Sequence, residues 1–132
     1  MDEIGVKFDP IHIAVQGMDP VRVIKKLGRS IYGVHAQDVQ FNEEIMKENG
    51  LFTTRYYDDI ENRPWTFRLV GFGFSRELWQ DMITALFRVG YNGTIMIENF
   101  DVMFTYSEGF NKGYNFLKQI IVTQKLQPRT LT

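Results

Sequence analysis

Three stretches of this chain end in side chains that bind metals or move protons. In Phe8-Asp9-Pro10-Ile11-His12, a mostly apolar run reads as a short strand, Ile4 to Asp9, closed by a carboxylate. Pro10 lacks an N–H and has a fixed φ, so no central strand continues through it. Asp9 and His12 are therefore expected together on a loop at the carboxyl end of that strand. A second strand, Ile31 to Val34, ends at His35, and a third, Thr94 to Ile97, ends at Glu98. Two carboxylates and an imidazole on strand ends form an oxygen–nitrogen–oxygen set. Such a set suits a divalent cation such as Mn, Mg, Co or Zn and leaves coordination positions open. In parallel α/β architectures that end of the sheet holds the ligands. Each residue also has a plainer reading. Asp before Pro forms turns, and a strand-end His can bond to backbone. An inward Glu is harder to dismiss, because burying an unpaired carboxylate is costly.

The elements that must carry these groups alternate. Asp19-Pro20 is an N-cap followed by Pro at the first helical position. The helix Pro20 to Leu27 places Val21, Ile24 and Leu27 on one side, with Gly28 as its stop. Short links to the strands on either side imply a parallel pair with a right-handed crossover. A long connection then runs from Ala36 to about Arg76. It holds a short helix, Asn42 to Asn49, and an arginine- and aromatic-rich stretch, and connections of this length are commonly functional. Arg55, Arg63 and Arg68 suit a sugar hydroxyl, carboxylate or phosphate, or else form a solvated loop face. Val70-Gly71-Phe72-Gly73 permits a tight backbone but lacks the third glycine of a dinucleotide fingerprint. Ser75 caps a helix packing through Leu78, Trp79, Met82, Ile83, Leu86 and Phe87, and Gly90 stops it. Ser107 is expected to cap a last helix that packs through Phe110, Tyr114, Leu117 and Ile120/Ile121, with a frayed tail from Gln124 to Thr132.

Strand alternation turns Val34, Ile95 and Ile97 toward the helices and His35 and Glu98 toward the opposite face, with Asp9 if Phe8 points to the helices. Three parallel strands covered on one side leave a bare face and two open edges. A (β/α)8 barrel takes roughly 250 residues, so three units and a long loop make about half of one. Within its 132 residues, 44% are apolar and 23% charged, which is a globular composition. The 15 basic and 16 acidic side chains are interspersed, which argues against a nucleic-acid surface. Without cysteine there is neither a disulfide frame nor a thiolate zinc site. No apolar run approaches the roughly 20 residues of a membrane span, and the acidic Met1-Asp2-Glu3 start lacks a signal peptide's basic region. A soluble, cytoplasmic protein without nucleic-acid or membrane partners is the expectation.

The motifs also resemble a family. Phe8-Asp9-Pro10-Ile11-His12, Val34-His35-Ala36-Gln37-Asp38, Glu61-Asn62-Arg63-Pro64-Trp65, Val70-Gly71-Phe72-Gly73 and Ile97-Glu98-Asn99-Phe100-Asp101 occur in an order and spacing similar to the sugar phosphate isomerase/epimerase group. These are xylose-isomerase-like TIM barrels related to endonuclease IV. The resemblance implies an α/β fold comprising strands six to eight of a TIM (β/α)8 barrel, with residues 1–132 forming a partial barrel domain. It implies a divalent-metal-dependent sugar or sugar phosphate isomerase or epimerase, moving a proton through a metal-stabilised enediolate and using no organic cofactor. Asp9, His35 and Glu98 match the metal ligands, and Glu98 is also one of two acid/base carboxylates. His12 matches the substrate histidine and joins Glu98 as a catalytic group, while Asp38, Arg63 and Arg68 fall at the substrate. The family's fourth ligand and second base, a glutamate on strand five, has no counterpart here. Gln37 also stands where many relatives carry lysine. Working chemistry would then need a separate N-terminal half-barrel or a self-associated copy. The rivals are a non-catalytic assembly module with a relict metal site, and an abasic-site endonuclease. Two histidines and a net charge of −1 weigh against the nuclease.

Overall fold

The parallel pattern of the sequence survives folding, but the long connection does not stay irregular. In the computed structural model, which describes residues 4–122, the chain enters through strand β1 (Val6–Phe8) and turns at once into helix α1 (Pro10–Ala14). Asp9 caps α1, its Oδ1 accepting from Ile11 N at 3.1 Å. Pro10 thus starts a helix, where its missing N–H is no loss, and Asp9 and His12 lie on a helical turn rather than on the expected loop. Helix α2 (Pro20–Leu27) is capped by Asp19 as expected, and a 3-10 turn, Gly28–Ser30, leads to β2 (Ile31–Ala36). His35 sits inside β2, one residue before its end.

The connection from Ala36 to Arg76 holds the expected short helix, α3 (Glu43–Asn49), and two strands that were not expected, β3 (Asp38–Phe41) before it and β4 (Trp65–Arg68) after it. β3 and β4 pair antiparallel, Asp38 opposite Arg68 and Phe41 opposite Trp65. These two four-residue strands lie far apart in sequence with no tight turn between them, so no hairpin signature marks them. Helix α4 (Arg76–Arg88), strand β5 (Ile95–Ile97) and helix α5 (Tyr106–Ile120) complete the order. Thr105, not Ser107, caps α5, with its Oγ1 accepting from Glu108 N at 3.3 Å. The tail from Gln124 and the residues Met1-Asp2-Glu3 lie outside the described residues.

The main sheet has the order β1-β2-β5, all parallel. Phe8, Val34 and Ile95 stand in one register row, and the core they join is built by Ile24, Trp79, Met82, Leu86, Leu117 and Ile120 from the helices. The other face is covered only in part, with His35 buried on it at 7% exposure. Tyr32 and Met96 are 59% and 40% exposed, and Lys7 lies beside Gly33 in the register. Among the described residues β1 and β5 each pair with one neighbour, so both outer edges are open. Among the same residues, no helix is long and apolar enough to cross a membrane.

Helix α5 approaches the segment after β5 closely enough to require glycine. A Cβ at Gly109 would fall on the Asn99 side-chain amide. Gly109→Ala is expected to cost about 1–3 kcal/mol by overpacking, even though alanine favours helix by about 1 kcal/mol. Chemical denaturation checks this, and an unchanged or higher midpoint would show that Asn99 can step aside.

Candidate metal centre

Adjacent parallel strands bring Asp9, His35 and Glu98 together because all three leave the sheet at the same end. Asp9 follows β1, His35 lies in the central β2, and Glu98 follows β5 with its N–H donating to Ala36 O at 3.2 Å. His35 Nδ1 stands 3.0 Å from Glu98 Oε1 and 3.7 Å from Asp9 Oδ2. One ligand atom from each residue lies within 4.8 Å of the other two, a spacing that a single cation can span. Asp9 and His35 are buried, whereas the Glu98 side chain keeps 31% of its surface exposed.

The electrostatics suit a cation. Burial is the largest influence on the Asp9 carboxyl and holds it above its ordinary range. The Ile11 N–H and the histidines pull it down, while the Glu98 charge pushes it up again. Its Oδ1 is bound to the α1 cap and its Oδ2 faces the two histidines. A divalent ion among these oxygens would neutralise two like charges. The donor set, two carboxylates and an imidazole, suits Mn, Mg, Co or Zn and leaves positions for substrate. His12 Nε2 is 3.7 Å from Asp9 Oδ2 on a side chain that is 64% exposed, so it stands at the rim, outside the three-residue cluster.

Asp38 and Arg63 are engaged elsewhere. Asp38 is fully buried and every partner is a donor. Its Oδ2 accepts from Gly71, Gly73 and Phe74 N–H at 2.9–3.0 Å, and its Oδ1 from Trp79 Nε1 at 2.6 Å. The expected substrate contact of Asp38 is therefore corrected, since no part of this carboxylate meets solvent. The Val70-Gly71-Phe72-Gly73 turn cradles the chain's own anion, and Gly71, at φ +92°, has the left-handed backbone this needs. Arg63 is likewise buried. Its Nε and Nη1 donate to the carbonyls of Trp65 and Arg55, and its guanidinium sits about 5 Å from the Tyr57 and Trp65 ring centres. It is a packing post of the β3–β4 insert rather than a free substrate group. Arg68 borders a cavity of about 550 Å³ shared with Gln40, Thr66 and Phe67. Its Nε is held by Asp101 Oδ2 and its Nη1 by Gln40 Oε1, each at 2.7 Å. Gln37, at 1% exposure, packs inside the fold. Sequence reasoning assigned no role to Asp101, although Asn99 and Asp101, both turn formers, directly follow Glu98.

No family model matches the chain. It is 30% identical over 118 residues to an uncharacterized protein, YfiH, of Bacillus subtilis, a match covering 89% of this chain and 38% of the relative. Among solved structures it is similar to a xylose isomerase domain protein from Planctomyces limnophilus, with a TM-score of 0.55 at 18% identity. That match covers 88% of this chain and 36% of the other. The chain thus spans little more than a third of either protein. The shared feature is the fold, an α/β arrangement of parallel strands and helices similar to a xylose-isomerase-like TIM barrel.

Proposed function

We propose that this chain is the strand-six-to-eight portion of a divalent-metal-dependent sugar, or sugar phosphate, isomerase or epimerase. The observation that carries the reading is the Asp9–His35–Glu98 cluster at the carboxyl ends of three parallel strands. The likeness to a xylose isomerase domain protein, over about a third of that chain, supports it. So do the open edges of the sheet, which leave room for further βα units.

Asp9, His35 and Glu98 would hold the cation, whose bound charge polarises a substrate carbonyl. The protein's own work is then proton transfer. Glu98, the most exposed of the three, takes the proton from the carbon next to that carbonyl, and the bonding electrons move toward the oxygen. His35, whose Nδ1 stands 3.0 Å from Glu98 Oε1, would ligate the same cation and fix the carboxylate through it. His12, at the rim, hydrogen-bonds a substrate hydroxyl, and Arg68 lines the approach from the insert. A carboxylate returning the proton on the other face comes from the rest of the barrel. The open edges equally favour an assembly module that keeps the metal residues without the chemistry.

Light scattering on the purified protein, followed by elemental analysis of the same peak, tests the reading. A barrel-sized or larger species with about one Mn, Co or Zn per site is expected. A metal-free protein would overturn it, and a metal-free oligomer would leave the assembly module.

A further inference from the structure

Beyond Ile97 the parallel ladder gives Glu98 a single backbone bond, from its N–H to Ala36 O. The segment that follows is pinned from elsewhere. Asp101, whose side chain is 1% exposed, accepts from Arg68 Nε at 2.7 Å and Leu69 N at 2.9 Å through Oδ2. Its Oδ1 accepts from Met103 N at 2.9 Å, and its own N–H donates to Asn99 Oδ1 at 3.2 Å. Phe100 packs against Phe67 of β4, with ring centres 5.6 Å apart. Glu98 thus stands between one ladder bond on its own side and a buried ion pair three residues on.

We propose that Asp101, fixed by Arg68, is a positioning residue that sets where the Glu98 carboxylate stands against His35. This rests on the reading of Asp9, His35 and Glu98 as a metal centre. A buried carboxylate with donors from two segments defines one geometry, because moving it leaves a guanidinium and two N–H groups without their acceptor. The Asp101 carboxylate ties the end of β4 to the turn after β5 at a point where neither is held by the other's ladder. It also fixes the Arg68 guanidinium beside the cavity, with Nε and Nη1 bound and its remaining N–H groups free to meet a ligand.

Asp101→Asn tests the proposal, since it keeps the size of the side chain and removes the charge and one acceptor. Two readouts apply: the His35–Glu98 contact, seen in a crystal structure, and Mn affinity by calorimetry. The contact is expected to open and Mn affinity to fall roughly tenfold or more, the loss typical of second-layer partners. Arg68→Lys, which keeps the charge but not the fork, should shift both readouts in the same direction and stands in if Asp101→Asn does not fold. Ile120→Val trims the core away from this segment and should move neither. An intact His35–Glu98 contact with wild-type Mn affinity in the first two variants overturns the proposal. If the wild-type protein takes up no Mn in any assembly, the metal reading falls. The His35–Glu98 contact then decides the positioning role by itself.

Discussion

Asp38→Ala is expected to destabilise the fold by about 3–5 kcal/mol, enough to unfold a domain of ordinary stability in mild denaturant. Four donors converge on this carboxylate, and each would be left in the interior without a partner. The loss also crosses elements. Asp38 begins β3, the three N–H groups come from the turn before α4, and the indole comes from α4 itself. Without the anion the glycine turn has nothing to wrap, and Trp79, 1% exposed in the core, has a buried N–H to satisfy. The pH dependence should run opposite to ordinary acid denaturation. Burial is the strongest influence on Asp38 and, against the opposing hydrogen bonds, raises its pKa from 3.8 to about 6. Between those values the folded state holds the proton more tightly than the unfolded state does. The group's contribution is therefore fully present below about 3.8 and declines as pH rises through about 6. The stability difference between wild type and Asp38→Ala should widen by about 1 kcal/mol from pH 7 to pH 5. Denaturant titrations at both pH values measure it. A gap that narrows on acidification would mean that the four donors outweigh burial.

The three parallel strands and the inner faces of α2 and α4 were legible because each rests on local signals. Helix α5 instead turns Gly109, Gly113, Leu117 and Ile120 inward and leaves the expected Phe110 and Tyr114 46% and 58% exposed. Asp19-Pro20, Asn42 and Ser75 announce helix starts through side chains that reach only two or three residues ahead. Strand alternation was enough to place His35 on the face opposite Val34. The failures have a common cause. Asp38 and Arg63 looked like substrate groups because charged side chains in a loop ordinarily meet solvent. Apart from Trp65, their hydrogen-bond partners lie 8 to 41 positions away in the chain. No sequence window shows that three backbone N–H groups will converge on one aspartate. The Val70-Gly71-Phe72-Gly73 turn wraps an internal anion, the Asp38 carboxylate. Asp101 went unread for the same reason, since its ion pair with Arg68 forms only once β4 and the segment after β5 are side by side. Thr105 displaced Ser107 as the α5 cap by two positions, a choice between similar hydroxyls that helix periodicity alone does not make.

Glu98→Gln is expected to abolish proton exchange while leaving the fold in place. The amide keeps the size of the side chain and an oxygen for the 3.0 Å contact with His35 Nδ1, but it can neither accept a proton at neutral pH nor bring charge to a cation. General-base catalysis contributes roughly 10²–10⁴-fold, and loss of a charged ligand adds to that, so exchange should fall below detection. Two properties separate this outcome from simple unfolding. The Glu98 side chain is 31% exposed, so the change strands little in the interior. Its charge also pushes up the buried Asp9 carboxyl, so removing it relieves a like-charge contact. Stability without metal should therefore be unchanged or slightly higher as the site loses function. The measurement is deuterium uptake from solvent at the carbon next to the substrate carbonyl, made on the assembled, metal-loaded protein beside a denaturation curve. Turnover like that of wild type would remove Glu98 from the chemistry. A loss of exchange with an intact melting curve would tie proton transfer to the one carboxylate of the cluster that both contacts His35 and remains open to a ligand.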